Sequence, residues 1–322
     1  MRSFRKNRVV LALGALVVGV AMLAWAADQF VLGAARLALL KGVKPIVVGV
    51  VIVGFGTSAP EMLVSALAAG SGDADIALGN VIGSNIANLT LLLGIGAMIV
   101  PLRVDSTTVR REAVLVVAAT LGFAVAVQGG GLGRVEGLLL TIAMVVALAI
   151  VIRRSTTDAD PIGPETVGLA EPSAHRFGVE VARTVGGLIG TIAAAQILLW
   201  GALELADAAG LSGGFVGATL VAVGTSLPEL VTVVQSARRR ETDLIVGNLL
   251  GSNLFNALSV GGLIGLIGGN GVDDARLTVV GATAAFVAAV VALVAMRSGR
   301  RVSRLEGVFL ITGYAVLVPF LA

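Results

Sequence analysis

Residues 54–61 read Gly-Phe-Gly-Thr-Ser-Ala-Pro-Glu, and residues 222–229 read Ala-Val-Gly-Thr-Ser-Leu-Pro-Glu. A shift of 168 positions carries Gly56 to Glu61 onto Gly224 to Glu229. The same shift lays Gly79-Asn80-Val81-Ile82-Gly83-Ser84-Asn85-Ile86-Ala87-Asn88 on Gly247-Asn248-Leu249-Leu250-Gly251-Ser252-Asn253-Leu254-Phe255-Asn256, and Asp75 on Asp243. A shift of 170 aligns Arg134, Glu136 and Gly137 with Arg304, Glu306 and Gly307. Self-similarity at a fixed offset over both halves is the signature of a duplicated structural unit.

What surrounds the two copies is apolar. Of the 322 residues 57% are hydrophobic and 13% charged, against roughly 25% charged in an ordinary soluble domain. With a mean hydropathy of +0.98, this excludes a soluble globular enzyme, a disordered chain and any large aqueous domain. Lipid is the remaining solvent. The net charge of +3 comes from short basic clusters between apolar runs, so it marks topology and not nucleic-acid binding. With no cysteine and one histidine, His175, the chain has no disulfide, thiolate metal site, cysteine nucleophile or poly-His site.

Uncharged runs at 9–27, 45–60, 76–102, 113–133, 137–152, 184–203, 208–228, 244–272, 277–296 and 307–322 predict ten transmembrane helices in an all-α integral membrane protein. The runs ending at Pro60 and Pro228 each continue past a single glutamate and count as interrupted helices. The polar interval around Pro161, Pro164, Pro172 and His175 divides the chain into a first five-helix repeat (1–154), a linker loop (155–175) and a second repeat (176–322). Five is odd, so the second repeat enters from the opposite side and is inverted. Alternating the loops puts 17 Lys and Arg on one side and 6 on the other. The positive-inside rule then makes the linker cytoplasmic and both termini external, in the cell membrane. Arg2, Arg5, Lys6 and Arg8 resemble a signal-peptide n-region, with Ala24-Trp25-Ala26 as a cleavage site. Cleavage would leave nine crossings and spoil the symmetry, so the uncleaved reading is preferred.

Glu61 and Glu229 interrupt apolar runs, where an ionisable group costs about 2.5–3.5 kcal/mol on insertion scales and needs compensation. The proline before each removes an amide donor and frees the carbonyls of Gly56 and Gly224. Broken backbone at this depth is tolerated where it is buried or lines a wet cavity. Thr57 and Glu61 are four apart, as are Thr225 and Glu229, Ser84 and Asn88, and Ser252 and Asn256, so each pair shares a helix face. Gly79 and Gly83, like Gly247 and Gly251, form GxxxG pairs whose simplest role is close helix packing. Packing would also bring the second motif against the first. The inventory is a hard-oxygen site with two carboxylates, which suits one Ca²⁺ or two Na⁺ better than Mg²⁺ or a thiophilic metal.

The doubled Gly-Thr-Ser-x-Pro-Glu and Gly-Ser-Asn-x-x-Asn motifs resemble the two alpha-repeats of the sodium/calcium exchanger family, of prokaryotic type, within the cation/Ca²⁺ exchanger superfamily. The likeness is carried by residues 54–96 and 222–265. It implies that Glu61 and Glu229 are central Ca²⁺ ligands with Thr57 and Thr225 beside them. It further implies that Ser58, Ser84, Ser226 and Ser252 serve sodium sites, helped by backbone carbonyls near Gly54 and Ala222. Asn88 matches the family's pattern. Asn256 departs from it, since the well-known exchangers carry aspartate there, so three Na⁺ per Ca²⁺ does not follow and a proton or other monovalent ion is an open counter-substrate.

The expected function is therefore non-enzymatic: secondary-active exchange of Ca²⁺ for Na⁺ by alternating access, with no covalent cofactor, no nucleic acid and no obligatory protein partner. Ca²⁺/H⁺ exchange through the same site, a passive cation channel and a non-transporting scaffold are the competitors. Weaker signals take blander readings: His175 a solvated loop residue over a pH sensor, Glu136 and Glu306 at helix N-termini, Arg238 to Arg240 holding topology over anionic-lipid contact, Gly129–Gly131 and Gly268–Gly269 turns, Asp75 and Asp243 helix caps over entrance charges.

Overall fold

The computed structural model describes residues 2–41, 57–104, 107–155, 177–268, 272 and 274–321, almost all of them helical. The helices are α1 (Arg2–Leu40), α2 (Ala59–Ser71), α3 (Ala74–Ile99), α4 (Thr107–Val127), α5 (Arg134–Ser155), α6 (Phe177–Ala209), α7 (Gly213–Thr225), α8 (Leu227–Arg239), α9 (Leu244–Ile267), α10 (Leu277–Arg300) and α11 (Arg304–Leu321). Two short strands, β1 (Leu102–Arg103) and β2 (Arg301–Val302), pair antiparallel. Among the described residues six helices are long and apolar enough to cross a membrane, and seven if α7 and α8, bent by 45°, form one span. The expected second crossing begins in residues 42–56, which lie outside the described residues; of the expected linker loop 155–175, Ser155 ends α5 and the rest, with His175, also lies outside them.

Two helices run on where charge predicts an end. The run at 9–27 belongs to the longer α1, which passes Asp28 and Arg36, and the run at 184–203 to the longer α6. The physical reason is mutual neutralisation. Arg36 reaches Glu180 at 3.4 Å, Arg183 reaches the same carboxylate at 3.6 Å, and Glu180 is 2% exposed. Charges that pair with one another need not leave the helix.

α1 and α6 pack antiparallel along their length. A Cβ at Gly19 would lie 2.9 Å from the Leu198 amide nitrogen, and one at Gly187 would press on the amide of Phe30. Likewise a Cβ at Gly33 would lie 2.8 Å from the Thr184 nitrogen, and one at Gly201 3.1 Å from that of Leu16. Each contact turns into the other under the 168-residue shift with the partners exchanged. A matching exchange recurs farther along, with shifts of 168 and 170 for the two partners. Gly94 of α3 meets the Gly307 carbonyl of α11 at 2.8 Å, and Gly262 of α9 meets the Gly137 carbonyl of α5 at 3.1 Å, measured from a Cβ placed on each glycine.

The interior belongs to α3 and α9. In their most apolar windows 78% and 67% of residues are buried, against 28% for α1 and 17% for α11. α3 crosses α7 backbone to backbone, where a Cβ on Gly79 or Gly83 would strike the carbonyl oxygens of Gly214 and Ala218. This is the close packing that small-xxx-small spacing permits. Between α2 and α3 the chain turns at once, because Gly72 takes the left-handed conformation (φ 90°) and its amide closes the last turn of α2. α2, α3, α7, α8 and α9 thus converge, and the polar residues they carry converge with them.

Candidate cation site

The second Thr-Ser-x-Pro-Glu copy breaks its helix, and the serine of the first copy has the same backbone conformation at the start of α2. Ser226, between α7 and α8, has φ −83° and ψ 10°; Ser58, just before α2, has φ −90° and ψ 6°. Proline near the start of the following helix has no amide to offer, and its ring excludes the carbonyl four residues back. The following helix therefore begins just after the serine, placing Glu61 and Glu229 in the first turns of α2 and α8. Both glutamates are fully buried.

The two motif copies are joined across the halves. Ser226 donates to Oε1 of Glu61 at 3.0 Å, and Ser252 donates to Oε1 of Glu229 at 3.2 Å. The hydroxyls of Thr57 and Ser252 are 3.2 Å apart, so Thr57, half-buried, lies one residue removed from Glu229. The Ala222 carbonyl accepts from Thr225 at 3.2 Å and from Ser84 at 3.5 Å. Eight of the twelve expected site residues thus lie on the converging helices, and Thr57, Ser58 and Ser226 lie immediately before α2 and α8; Gly54 lies outside the described residues.

Several buried oxygens here have no hydrogen-bond partner among the described residues: Oε2 of Glu61, Oε2 of Glu229, Oγ of Ser58, and Oδ1 of Asn88 and Asn256. Buried polar groups are ordinarily paired, and an unpaired one carries its full desolvation cost. An anionic oxygen left bare in such a place asks for a cation. No group of three or more His, Cys, Asp or Glu suited to a metal occurs among the described residues, so the remaining donors are neutral hydroxyls, amides and carbonyls. That set is hard, irregular and doubly negative, and it fits Ca²⁺ or paired Na⁺.

Asn88 and Asn256 each open a π-turn, Asn88–Leu92 in α3 and Asn256–Val260 in α9. Such bulges recur at functional sites because they re-aim a side chain without breaking the helix. Asn80, which no sequence expectation included, is fully buried and bridges the halves. It donates to Ser65 at 2.9 Å and to the Glu61 carbonyl at 3.4 Å, and accepts from Thr225 at 3.1 Å. Its spacing was the available signal, since 80, 84 and 88 form one stripe on a helix. Its repeat counterpart Asn248 does not reproduce the network: position 65 is serine, whereas position 233 is valine.

Asp75 lies in the first turn of α3, at the helix start as expected, and accepts from the Asp274 amide at 3.2 Å, so it also holds the start of another segment. With Asp73 and Asp207 it lines a cavity of about 340 Å³, away from the glutamate pair. The side chain of Asp243 lies outside the described residues. Glu306 does cap α11, through a capping box with Ser303.

The family model described as sodium/calcium exchanger protein matches residues 11–153 and again 180–322. The putative antiporter CaxA of Alkalimonas amylolytica is 37% identical over 93% of this chain and 95% of its own. The inner membrane protein YrbG of Escherichia coli is 32% identical over 97% of each. A solved structure of the sodium-calcium exchanger NCX_Mj, soaked with Na⁺ and Sr²⁺, superposes with a TM-score of 0.66 and 27% identity, covering 97% of this chain and 98% of that one.

Proposed function

Because the chain belongs to the sodium/calcium exchanger family, and is thus a multi-pass membrane cation exchanger, we propose that it carries Ca²⁺ against a Na⁺ gradient by alternating access across the cell membrane. The observation that carries this reading is the pair of fully buried glutamates, each with one carboxylate oxygen lacking a partner, set among hydroxyls and amides from both halves. Glu61 and Glu229 are the central ligands in this reading. Thr57, Thr225, Ser58, Ser226, Ser84, Ser252, Asn88, Asn256 and the carbonyls near Gly54 and Ala222 complete the shell.

The physics of exchange follows from desolvation. Enclosing two unneutralised carboxylates away from water costs several kcal/mol per ion even after relaxation. One Ca²⁺ or two Na⁺ cancels the charge and removes that cost. Loaded protein closes and reopens on the other side, whereas empty protein stays where it is, so one gradient drives the other ion. Ten crossings as two inverted five-helix repeats, with both termini outside and the linker cytoplasmic, accommodate this cycle. The antiparallel α1–α6 pair and the exchanged glycine contacts support the inversion.

Asn256 favours a second reading, Ca²⁺/H⁺ exchange, because an amide there removes one carboxylate from the family's usual set. The deciding experiment is uptake of radiolabelled Ca²⁺ into proteoliposomes under imposed Na⁺, K⁺ and H⁺ gradients, one at a time. Na⁺ alone is expected to drive it; uptake driven by the pH gradient alone selects the proton reading. Glu61→Gln and Glu229→Gln are each expected to abolish driven uptake in protein that still purifies as folded. Full uptake in both variants would overturn the site.

A further inference from the structure

At one end of the molecule the loops α3–α4, α8–α9 and α10–α11 form a single surface. β1 and β2 pair across it with Arg103 directly opposite Arg301, and the Val104 amide donates to the Arg300 carbonyl at 2.9 Å. Thr242 donates to the Arg103 carbonyl at 3.3 Å, which brings in the Arg240 turn, and Arg304 donates to the Ile99 carbonyl at 3.4 Å. All five arginines are exposed, and among the described residues none forms an ion pair within 4 Å. Glu306 is near enough to feel Arg301, but its oxygens are taken by Ser298 and Ser303.

This surface is built against its own electrostatics. Like charges directly opposite on paired strands destabilise the pairing. Arg240 and Arg300 also hold left-handed backbone (φ 61° and 54°), a conformation that costs non-glycine residues energy and persists only when its surroundings impose it. An anion bridging the guanidinium groups would turn the repulsion into paired, charge-assisted hydrogen bonds. The patch caps membrane-spanning helices, so it sits at headgroup depth, where phosphate is the anion at hand.

We propose that the arginine surface centred on the Arg103–Arg301 pair binds the phosphate of anionic phospholipid headgroups, which clamp the α3–α4 loop of the first half to the α10–α11 loop of the second. The clamp reaches α8, whose first turn carries Glu229 and whose last residues adjoin Arg240.

The test is retention of phosphatidylglycerol by the purified full chain, read by native mass spectrometry and by the shift in thermal unfolding on lipid addition, with phosphatidylcholine and inorganic phosphate as parallel arms. Phosphatidylglycerol is expected to be retained and to stabilise more than phosphatidylcholine. The double variant Arg103→Gln/Arg301→Gln is expected to weaken that retention roughly tenfold or more, and Arg103→Lys/Arg301→Lys to restore most of it. Equal retention in the Gln variant, no preference over phosphatidylcholine, or an equal shift from inorganic phosphate alone would each overturn the proposal. Ca²⁺ binding by the Gln variant, measured in detergent, is expected to be unchanged. The lipid readout requires no transport, so its failure leaves the exchange reading standing and the reverse also holds.

Discussion

Asn256 and Asp differ by one atom and one charge, and in a site this dry the charge decides how many cations are needed. With Asn256→Asp the buried set gains a third potential carboxylate, and neutrality then calls for one more monovalent ion per cycle. The expected outcome is a shift in the reversal potential of reconstituted Ca²⁺ flux toward a higher counter-ion number. An unchanged potential would remove this position from the coupling. The glutamates, threonines, serines and motif asparagines were legible in the sequence because charge inside an apolar run is costly and because every signal came twice. For Asn80 the spacing with Ser84 and Asn88 offered a position on the same stripe but not a role, because that role depends on Ser65 and Thr225 meeting it from two other helices.

At the scale of elements, the crossing of α3 and α7 rests on the absence of side chains. Gly83→Val would push branched carbon into the Ala218 backbone, and overpacking of this kind costs about 1–3 kcal/mol or more where backbone cannot retreat. A lowered unfolding midpoint in detergent is expected. Gly122, in α4, faces open space, so Gly122→Ala should stabilise by up to about 1 kcal/mol through helix propensity alone. If both substitutions moved the midpoint equally, close approach would not be what α3 and α7 require. The break between α7 and α8 could be read from Pro228, and the start of α2 from Pro60. The π-turns at Asn88 and Asn256 could not, since a single inserted residue leaves the apolar pattern almost unchanged.

Across the whole molecule, the α1–α6 pair is tied at both ends by charges of unequal depth. Arg8 and Glu204 meet at 3.6 Å with the arginine 66% exposed, whereas Glu180 is almost sealed between Arg36 and Arg183. Surface pairs contribute about 0–1 kcal/mol, but breaking a buried pair strands a charge and costs several times more. Glu180→Ala is therefore expected to lower the unfolding midpoint clearly and Glu204→Ala hardly at all; equal shifts would contradict the burial difference. Composition and repeat arithmetic made the fold class and the duplication legible. The true ends of α1 and α6 stayed hidden, because a helix does not announce in advance which of its charges will find a partner.

The glycine contacts that map onto themselves when the halves trade places have a further meaning for traffic. A machine whose upper and lower jaws are cut from one template meets the same obstacle whichever way it swings. It has no built-in forward gear. In the proposed exchange the gradients on either side set which ion leaves the cell, and differences between the copies beside the buried glutamates, such as Ser65 against Val233, are where any lean toward one face has to be written.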